Sequence, residues 1–362
     1  IRRPPRSTHC ISSAASDVYK RQVYDGLINE RAAWFGPEIQ NSSEWLIHLD
    51  EVELEEIHSA LQSVKERNLS IPFNKEDFSL PTLSKKITSL YDVLENQLGF
   101  VLLRGIDRDR YSDKDCELIY WGIGLHLGRP VSQNTRGHLL GHVTDEGKKM
   151  SDPTTRLYQT TLKMDFHSDQ LPVDVVGLFC QRKAKKGGAS FLVSALTIHN
   201  VIREERPDLI DVLHNPFNLD WRGENPEDEQ PWYTCPMYSH FAGKLTSRLT
   251  SRAFFESVTR HGQHLALTDL QREALDVVQE IGERESLRLS MDFNEGDIQF
   301  INNHQILHAR EDFIDHEDPK LKRHLLRMWI SFPKEFRRAL APDLMERYSY
   351  VERGGIPKKE VA

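Results

Sequence analysis

A chain of 362 residues, 38% hydrophobic and 28% charged, has the composition of a soluble globular protein, with room for one large domain or two small ones. No apolar run approaches the roughly 20 residues a membrane-crossing helix needs. A formal net charge of −8 argues against a nucleic-acid partner. The four cysteines, Cys10, Cys116, Cys180 and Cys235, contain no Cys-x-x-Cys pair. That argues against a disulfide scaffold or a thiolate zinc site and fits a reducing, cytoplasmic compartment.

Residues 1–22, "IRRPPRSTHCISSAASDVYKRQ", show neither helix nor strand period and carry five basic residues against one acidic. They lack the apolar segment of a secretory signal. A mitochondrial transit peptide is one reading; translated sequencing-adapter read-through, hence a non-native leader, is the preferred one. Without them the chain has 42 basic and 54 acidic residues, a net of −12.

Residues 23–84 read as an N-terminal helical segment, with Leu54, Ile57, Leu61 and Val64 at helical spacing. A second helix carries Ile87, Leu90, Leu94 and Leu98 and is closed by Gly99. "GFVLLRGI" reads as a buried strand, and "SDKDCELIYWGIGLHLG" as a helix capped by Ser112. From about residue 130 the texture turns β-rich. "VDVVGLFC" (173–180) and "GASFLVSA" (188–195) flank the turn "KAKKGG". Helices are expected over 195–214 and 268–281, the latter with Thr268 and Gln271 at capping-box spacing. The insert 222–236 is rich in Pro and acidic residues and reads as a loop. Three further strands follow: "GDIQFIN" (296–302), "ILHAR" (306–310) and "HLLRMWISF" (324–332). Residues 334–362 read as a C-terminal tail. Helices first and short non-adjacent strands afterwards predict an α+β protein, a jelly roll decorated with helices.

The chemistry starts at "MDFHSDQ" (164–170). On an extended chain residues i and i+2 share a face, so His167 and Asp169 can offer an imidazole nitrogen and a carboxylate oxygen to one ion. A third ligand is available in "NNHQILHAR", as His304 or His308. Two histidines and a carboxylate on one triangular face leave positions open for co-substrate and O₂, the arrangement of non-haem Fe(II) oxygenases. Against this stands the ordinary reading of a His-Asp hydrogen bond in a chain with 16 histidines. A zinc hydrolase fits poorly, since Gln305 stands where a general-base Glu should follow His304.

Together "MDFHSDQ", "GGAS", "GDIQFINNHQILHARE" and "KRHLLRMWI" resemble the TauD/TfdA family of Fe(II)/2-oxoglutarate dioxygenases over roughly residues 85–333. The resemblance implies a double-stranded β-helix (jelly roll) core. It makes His167, Asp169 and His308 the iron ligands and the catalytic centre. It aligns Arg327 with the arginine that grips the distal carboxylate of 2-oxoglutarate, with Arg323 as the near competitor and Ser190 as the hydroxyl partner. A guanidinium fork suits that task, and the apolar neighbours Leu325, Leu326, Met328 and Trp329 predict a buried head that needs an anion. The implied reaction consumes O₂ and 2-oxoglutarate, releases succinate and CO₂, and hydroxylates a C–H bond. Asp169 argues against halogenation. Desaturation, epoxidation and cleavage of a carbon–heteroatom bond are left open.

For substrate the sequence offers Lys163, where taurine-type members carry Asn, and Gln133, Asn134 and Arg136 in "SQNTRGH". Arg222 and Trp232 are weaker candidates. A small polar metabolite, anionic or amino-acid-like, is expected. The alternatives are a protein side chain as substrate, or a metal-binding module without turnover. A homo-oligomer is open.

Overall fold

A computed structural model describes residues 23–359, apart from 25, 150–154, 171–172, 228, 343, 345–352 and 354. The leader 1–22 lies outside the described residues. Eight strands form the core: β1 (Phe100–Arg104), β2 (Met164–His167), β3 (Val175–Arg182), β4 (Ser190–Ser194), β5 (Leu289–Met291), β6 (Ile298–Asn302), β7 (Ile306–Arg310) and β8 (His324–Ser331). The major sheet runs β1-β6-β3-β8, antiparallel throughout. It is widened by Leu46–His48 along β1 and by Arg129–Val131 and Leu140–Thr144 along β8. The minor sheet runs β5-β4-β7-β2. Two facing four-strand layers with this alternating connection make the double-stranded β-helix.

Alternation along the strands builds the layers. In β1, Phe100 and Leu102 point into the inter-sheet core with Leu192, Met291, Ile301 and Ile306. Val101 and Leu103 point outward, under the helices. Those helices are α1 (Glu51–Glu66), α2 (Leu83–Asn96) and α3 (Asp113–Leu127), which cover the back of the major sheet. Behind the minor sheet pack α4 (Ala195–Glu205) and α5 (Asp269–Glu283), against Phe166, Leu307 and Ala309. The expected caps form: Ser112 and Thr268 each close a capping box with the residue three further on.

The structure differs from the sequence reading at three places. The segment 23–84 is not helical alone, because Leu46–His48 pairs in parallel with β1. The insert 222–236 ends in a strand, Trp232–Pro236, whose partner is Pro216–Asp220 and whose Tyr233 and Cys235 are buried. The residues after 333 return to the body. Arg338 is buried and pairs with Glu95 at 2.8 Å, and Leu340, Ala341 and Leu344 join the outer core.

Several histidines outside the site are buried. Burial pushes His199 and His304 down to about 3, and His214 and His324 down to about 4. An unfolded chain binds protons at these groups near pH 6.5, whereas the folded one does not until near pH 3–4. Stability therefore falls as the solution is acidified from about pH 6.5. The urea midpoint at pH 5 is expected to lie clearly below that at pH 7; an unchanged or higher midpoint means that these rings are not held neutral by the fold.

Candidate active site

Cross-strand register brings the two histidines together. His308 of β7 stands opposite His167 at the end of β2, and their ring centroids are 4.3 Å apart. Asp169 follows two residues later on the same side. Its Oδ1 lies 3.7 Å from His167 Nε2 and 3.6 Å from His308 Nε2. One ligand atom from each of the three falls within 4.8 Å of the others, the geometry of a metal cluster. His304 is elsewhere: it is buried, with Nε2 3.0 Å from Asp174 Oδ1.

The surroundings hold these groups in ligand form. His167 Nδ1–H donates to the Asp165 carbonyl at 2.7 Å, which leaves the Nε2 lone pair facing the cluster. Burial, assisted by His308, pushes the His167 pKa down to about 4, so the ring is neutral at pH 7. Burial opposes ionisation of Asp169, yet Arg327 and the two histidines hold its carboxyl well below the usual range. Its Oδ2 accepts from Trp329 Nε1 at 2.5 Å and pairs with Arg327 Nη1 at 3.2 Å, so Oδ1 is the oxygen turned to the histidines. Asn303 fixes the backbone: its Oδ1 accepts from Asp169 N–H at 2.8 Å and its Nδ2 donates to Asp169 O at 3.0 Å. Gln279 of α5 brackets Phe166 in the same way, at 3.1 and 2.7 Å. A donor set of two imidazoles and one carboxylate, open on one side, fits Fe(II).

Trp329, Asn303 and Gln279 carry no signal of these roles in the sequence patterns above. Trp329 was within reach, because it stands at i+2 from Arg327 on one strand and so shares its face. Loss of its hydrogen bond in Trp329→Phe is expected to weaken Fe(II) binding about 10–100-fold, the usual effect of an outer partner on a ligating carboxylate. Metal titration of the variant checks this; an unchanged affinity shows that the contact is incidental.

Two cavities meet at the cluster. The larger, about 220 Å³, is lined by His167, Asp169, Arg327, Trp329, Arg156, Arg222, Glu224 and Phe254, among others. The smaller, about 50 Å³, lies between the sheets and is lined by His308, Asp169, Ser190, Arg310, Arg323 and Arg327. Arg327 thus stands between them. Its head is already engaged: Nε donates to Gln133 Oε1 at 2.8 Å, Nη1 pairs with Asp169, and Tyr158 and Trp329 lie 5.0 and 5.1 Å away. The anion that its apolar flanks demanded is Asp169.

Arg323 differs. Its backbone sits just before β8, its guanidinium lies 5.3 Å from the Phe313 ring, and its Nη1 is buried without a hydrogen-bond partner among the described residues. The turn at Gly187 (φ +75°) and Gly188 (φ +79°) makes room for it, since a Cβ on Gly188 would stand 3.3 Å from Arg323 Nε. Arg310 shares the cavity. Burial and the neighbouring Arg323 push its pKa down to about 9, and its Nε and Nη1 are also buried without partners among the described residues. Two buried, under-bonded guanidiniums and the Ser190 hydroxyl line this cavity, a donor set that suits a carboxylate.

The remaining sequence candidates separate. Gln133 lines the larger cavity, but its amide is consumed in bracing Arg327; its Nε2 donates to Leu139 O and Arg327 O at 3.0 and 2.9 Å. Asn134 also lines it, with Oδ1 accepting from Arg136 N–H at 3.0 Å. Arg136 itself is exposed. Lys163 is a correction: it faces outward and pairs with Glu283 at 2.7 Å, because the end of α5 offers the nearer charge. Arg222 lines the cavity, whereas Trp232 lies outside it in its strand. Arg156, Glu224, Phe254 and Tyr158 complete the wall and had no sequence signal, coming from loops far apart in the chain.

The family described as "Taurine catabolism dioxygenase TauD, TfdA family" matches residues 65–329. The chain belongs to this family. It is accordingly an Fe(II)- and 2-oxoglutarate-dependent dioxygenase that uses O₂. It is 30% identical over 308 residues to the FR-33289 synthase of Streptomyces rubellomurinus, covering 84% of this chain and 90% of that protein. It is 31% identical over 345 residues to the taurine hydroxylase-like protein SAT17 of Stachybotrys chartarum, covering 92% and 87%. Among solved structures, asparagine oxygenase in complex with Fe(II), 2S,3S-3-hydroxyasparagine and succinate superimposes with a TM-score of 0.63 at 14% identity, covering 87% of this TauD/TfdA chain and 100% of that one. That likeness supports the jelly-roll fold of this dioxygenase. Among the described residues no helix is long and apolar enough to cross a membrane.

Proposed function

We propose that this dioxygenase hydroxylates a small polar metabolite, anionic or amino-acid-like, in a cytoplasmic setting, with decarboxylation of 2-oxoglutarate. One substrate, one O₂ and one 2-oxoglutarate give the alcohol, succinate and CO₂. The observation that carries this reading is the His167–Asp169–His308 cluster at the junction of two cavities of different character. These three residues hold the metal. Iron, when bound there, supplies the redox chemistry that lets O₂ attack a C–H bond.

The chain's own residues do the rest. The smaller cavity receives the distal carboxylate of 2-oxoglutarate on Arg323 and Ser190, with Arg310 behind them. Arg323 thereby takes the role that the family resemblance gave to Arg327, because Arg327 is spent on Asp169. Arg327 and Trp329 hold Asp169 in its ionised form and fixed orientation. Tyr158 and Trp329, both close to the Arg327 head, help to exclude water from the carboxylate. The larger cavity positions the substrate C–H beside the metal. Its 220 Å³ suits a small molecule rather than a protein segment. Asp169 occupies the position at which halide would have to bind, which favours hydroxylation.

The test is a screen of small anionic and amino-acid metabolites with Fe(II), 2-oxoglutarate and O₂. Succinate should form in step with one product heavier than its precursor by one oxygen atom. Oxidised peptides from a lysate, with no small-molecule product, would overturn the substrate class.

A further inference from the structure

We propose that Arg156, Arg222 and Glu224 form an oxyanion cradle on the wall of the larger cavity, and that the substrate places there a tetrahedral dianion, a phosphonate or phosphate monoester. The proposal rests on the reading of this cavity as the substrate site.

Arg156 comes from one loop, and Arg222 and Glu224 from a single turn more than sixty residues later. Arg156 Nη2 lies 3.2 Å from Glu224 Oε1. The guanidinium carbons of Arg156 and Arg222 lie 5.3 and 5.6 Å from the centre of one ring, that of Phe254. Two cations are therefore gathered about one aromatic ring, with the Glu224 carboxylate paired to Arg156. Burial, together with their mutual repulsion, lowers the Arg222 pKa. Arg156 Nη1 and Glu224 Oε2 are buried, and neither has a hydrogen-bond partner among the described residues. Unmet hydrogen-bonding capacity of this kind in a cavity wall marks a place for a ligand.

Backbone conformation supports the same reading. Arg222 adopts φ +52°, the left-handed region that non-glycine residues avoid. It is held there by its N–H, which donates to the buried Asp220 Oδ1 at 2.7 Å. Such conformations cluster where a side chain must be aimed.

The chemical class follows from charge and shape. Two guanidiniums and one carboxylate carry a net +1, and Arg327 faces the same cavity. A carboxylate ligand is satisfied by one planar guanidinium fork. Two guanidiniums drawn from different parts of the chain can together meet more than two acceptor oxygens, which a phosphoryl group has. Burial raises the Glu224 pKa, which lessens its repulsion of an anion seated on the two guanidiniums. An ammonium on Glu224 would have to sit against both guanidiniums.

The experiment uses the full chain, anaerobic, with Fe(II) and 2-oxoglutarate, and four matched probes: ethylphosphonate, ethyl phosphate, ethanesulfonate and propionate. Calorimetric titration should show the phosphonate or the phosphate binding at least about ten-fold tighter than the other two, a difference expected from charge-assisted contacts. Whichever of the two is tighter identifies the source of the dianion. Arg156→Lys and Arg222→Ala should each lose that preference, with the 2-oxoglutarate complex intact, while Glu224→Gln keeps it. Equal binding of all four probes overturns the cradle. So does tighter propionate, or loss of the phosphonate and phosphate preference in Glu224→Gln. If the wild-type 2-oxoglutarate complex fails to form, the oxygenase reading fails, and titration of the metal-free chain with the same probes still decides the cradle.

Discussion

Asp169→Ala is expected to abolish turnover and to weaken Fe(II) binding by well over the about 100-fold seen for outer-partner losses. The residue is one of the three groups proposed to bind the metal, and its Oδ1 is the oxygen turned to both histidines. Its removal also strands two buried donors, Trp329 Nε1 and Arg327 Nη1, which are left without their acceptor. The variant should therefore be somewhat less stable as well as inactive. Equilibrium dialysis with Fe(II) and a urea titration separate the two effects. Turnover retained within two-fold would remove Asp169 from the metal site.

Arg323→Ala is expected to raise the 2-oxoglutarate concentration needed for half-maximal rate by roughly ten- to a hundred-fold, the effect of losing a buried charge-assisted hydrogen bond. Iron affinity should be little changed, because Arg323 has no contact with Asp169 among the described residues. Arg327→Ala is the informative comparison. Loss of its ion pair with Asp169 at 3.2 Å should lower metal affinity as well as activity. Ser190→Ala should follow Arg323→Ala in kind, with a smaller effect. If Arg327→Ala raises the 2-oxoglutarate requirement with unchanged metal binding, while Arg323→Ala does neither, the two arginines exchange roles: Arg327 grips the co-substrate and Arg323 does not.

The grouping of His167, Asp169 and His308 was legible in the sequence because chelation calls for particular residue types and strand geometry fixes their spacing. His167 and Asp169 two apart, and His308 in a five-residue strand, "ILHAR", leave few other partners. The jelly roll was legible for a related reason: β1, β3, β6 and β8 are short, largely apolar runs covered on both faces. Capping boxes at Ser112 and Thr268 are local and could be read directly.

What the sequence hides depends on contacts between distant loops. The choice between Arg323 and Arg327 could not be made from flanking residues: Arg327 stands among apolar strand positions, yet Arg323, between Lys322 and His324, is the more deeply buried of the two. It turns on which guanidinium meets Asp169, and that is a matter of tertiary register. Lys163 looks like a cation at the mouth of the site until α5 brings Glu283 within 2.7 Å. Gln133 has the polarity of a substrate contact, yet its carboxamide serves Arg327. Arg156, Glu224 and Phe254 have no spacing to betray them; only the folded chain sets them around one cavity. The strand Trp232–Pro236 is masked by the Pro- and acid-rich run before it, although the buried Tyr233 and Cys235 have the alternation of a strand.

The most direct test of the central claim is anaerobic addition of Fe(II) and then 2-oxoglutarate to the purified protein, followed in the visible spectrum. The expected result is a weak metal-to-ligand charge-transfer band that needs both additions, is absent in Asp169→Ala, and in Arg323→Ala appears only at higher 2-oxoglutarate. A wild-type protein that shows no band yet binds zinc tightly would contradict it and make the cluster a non-redox metal site.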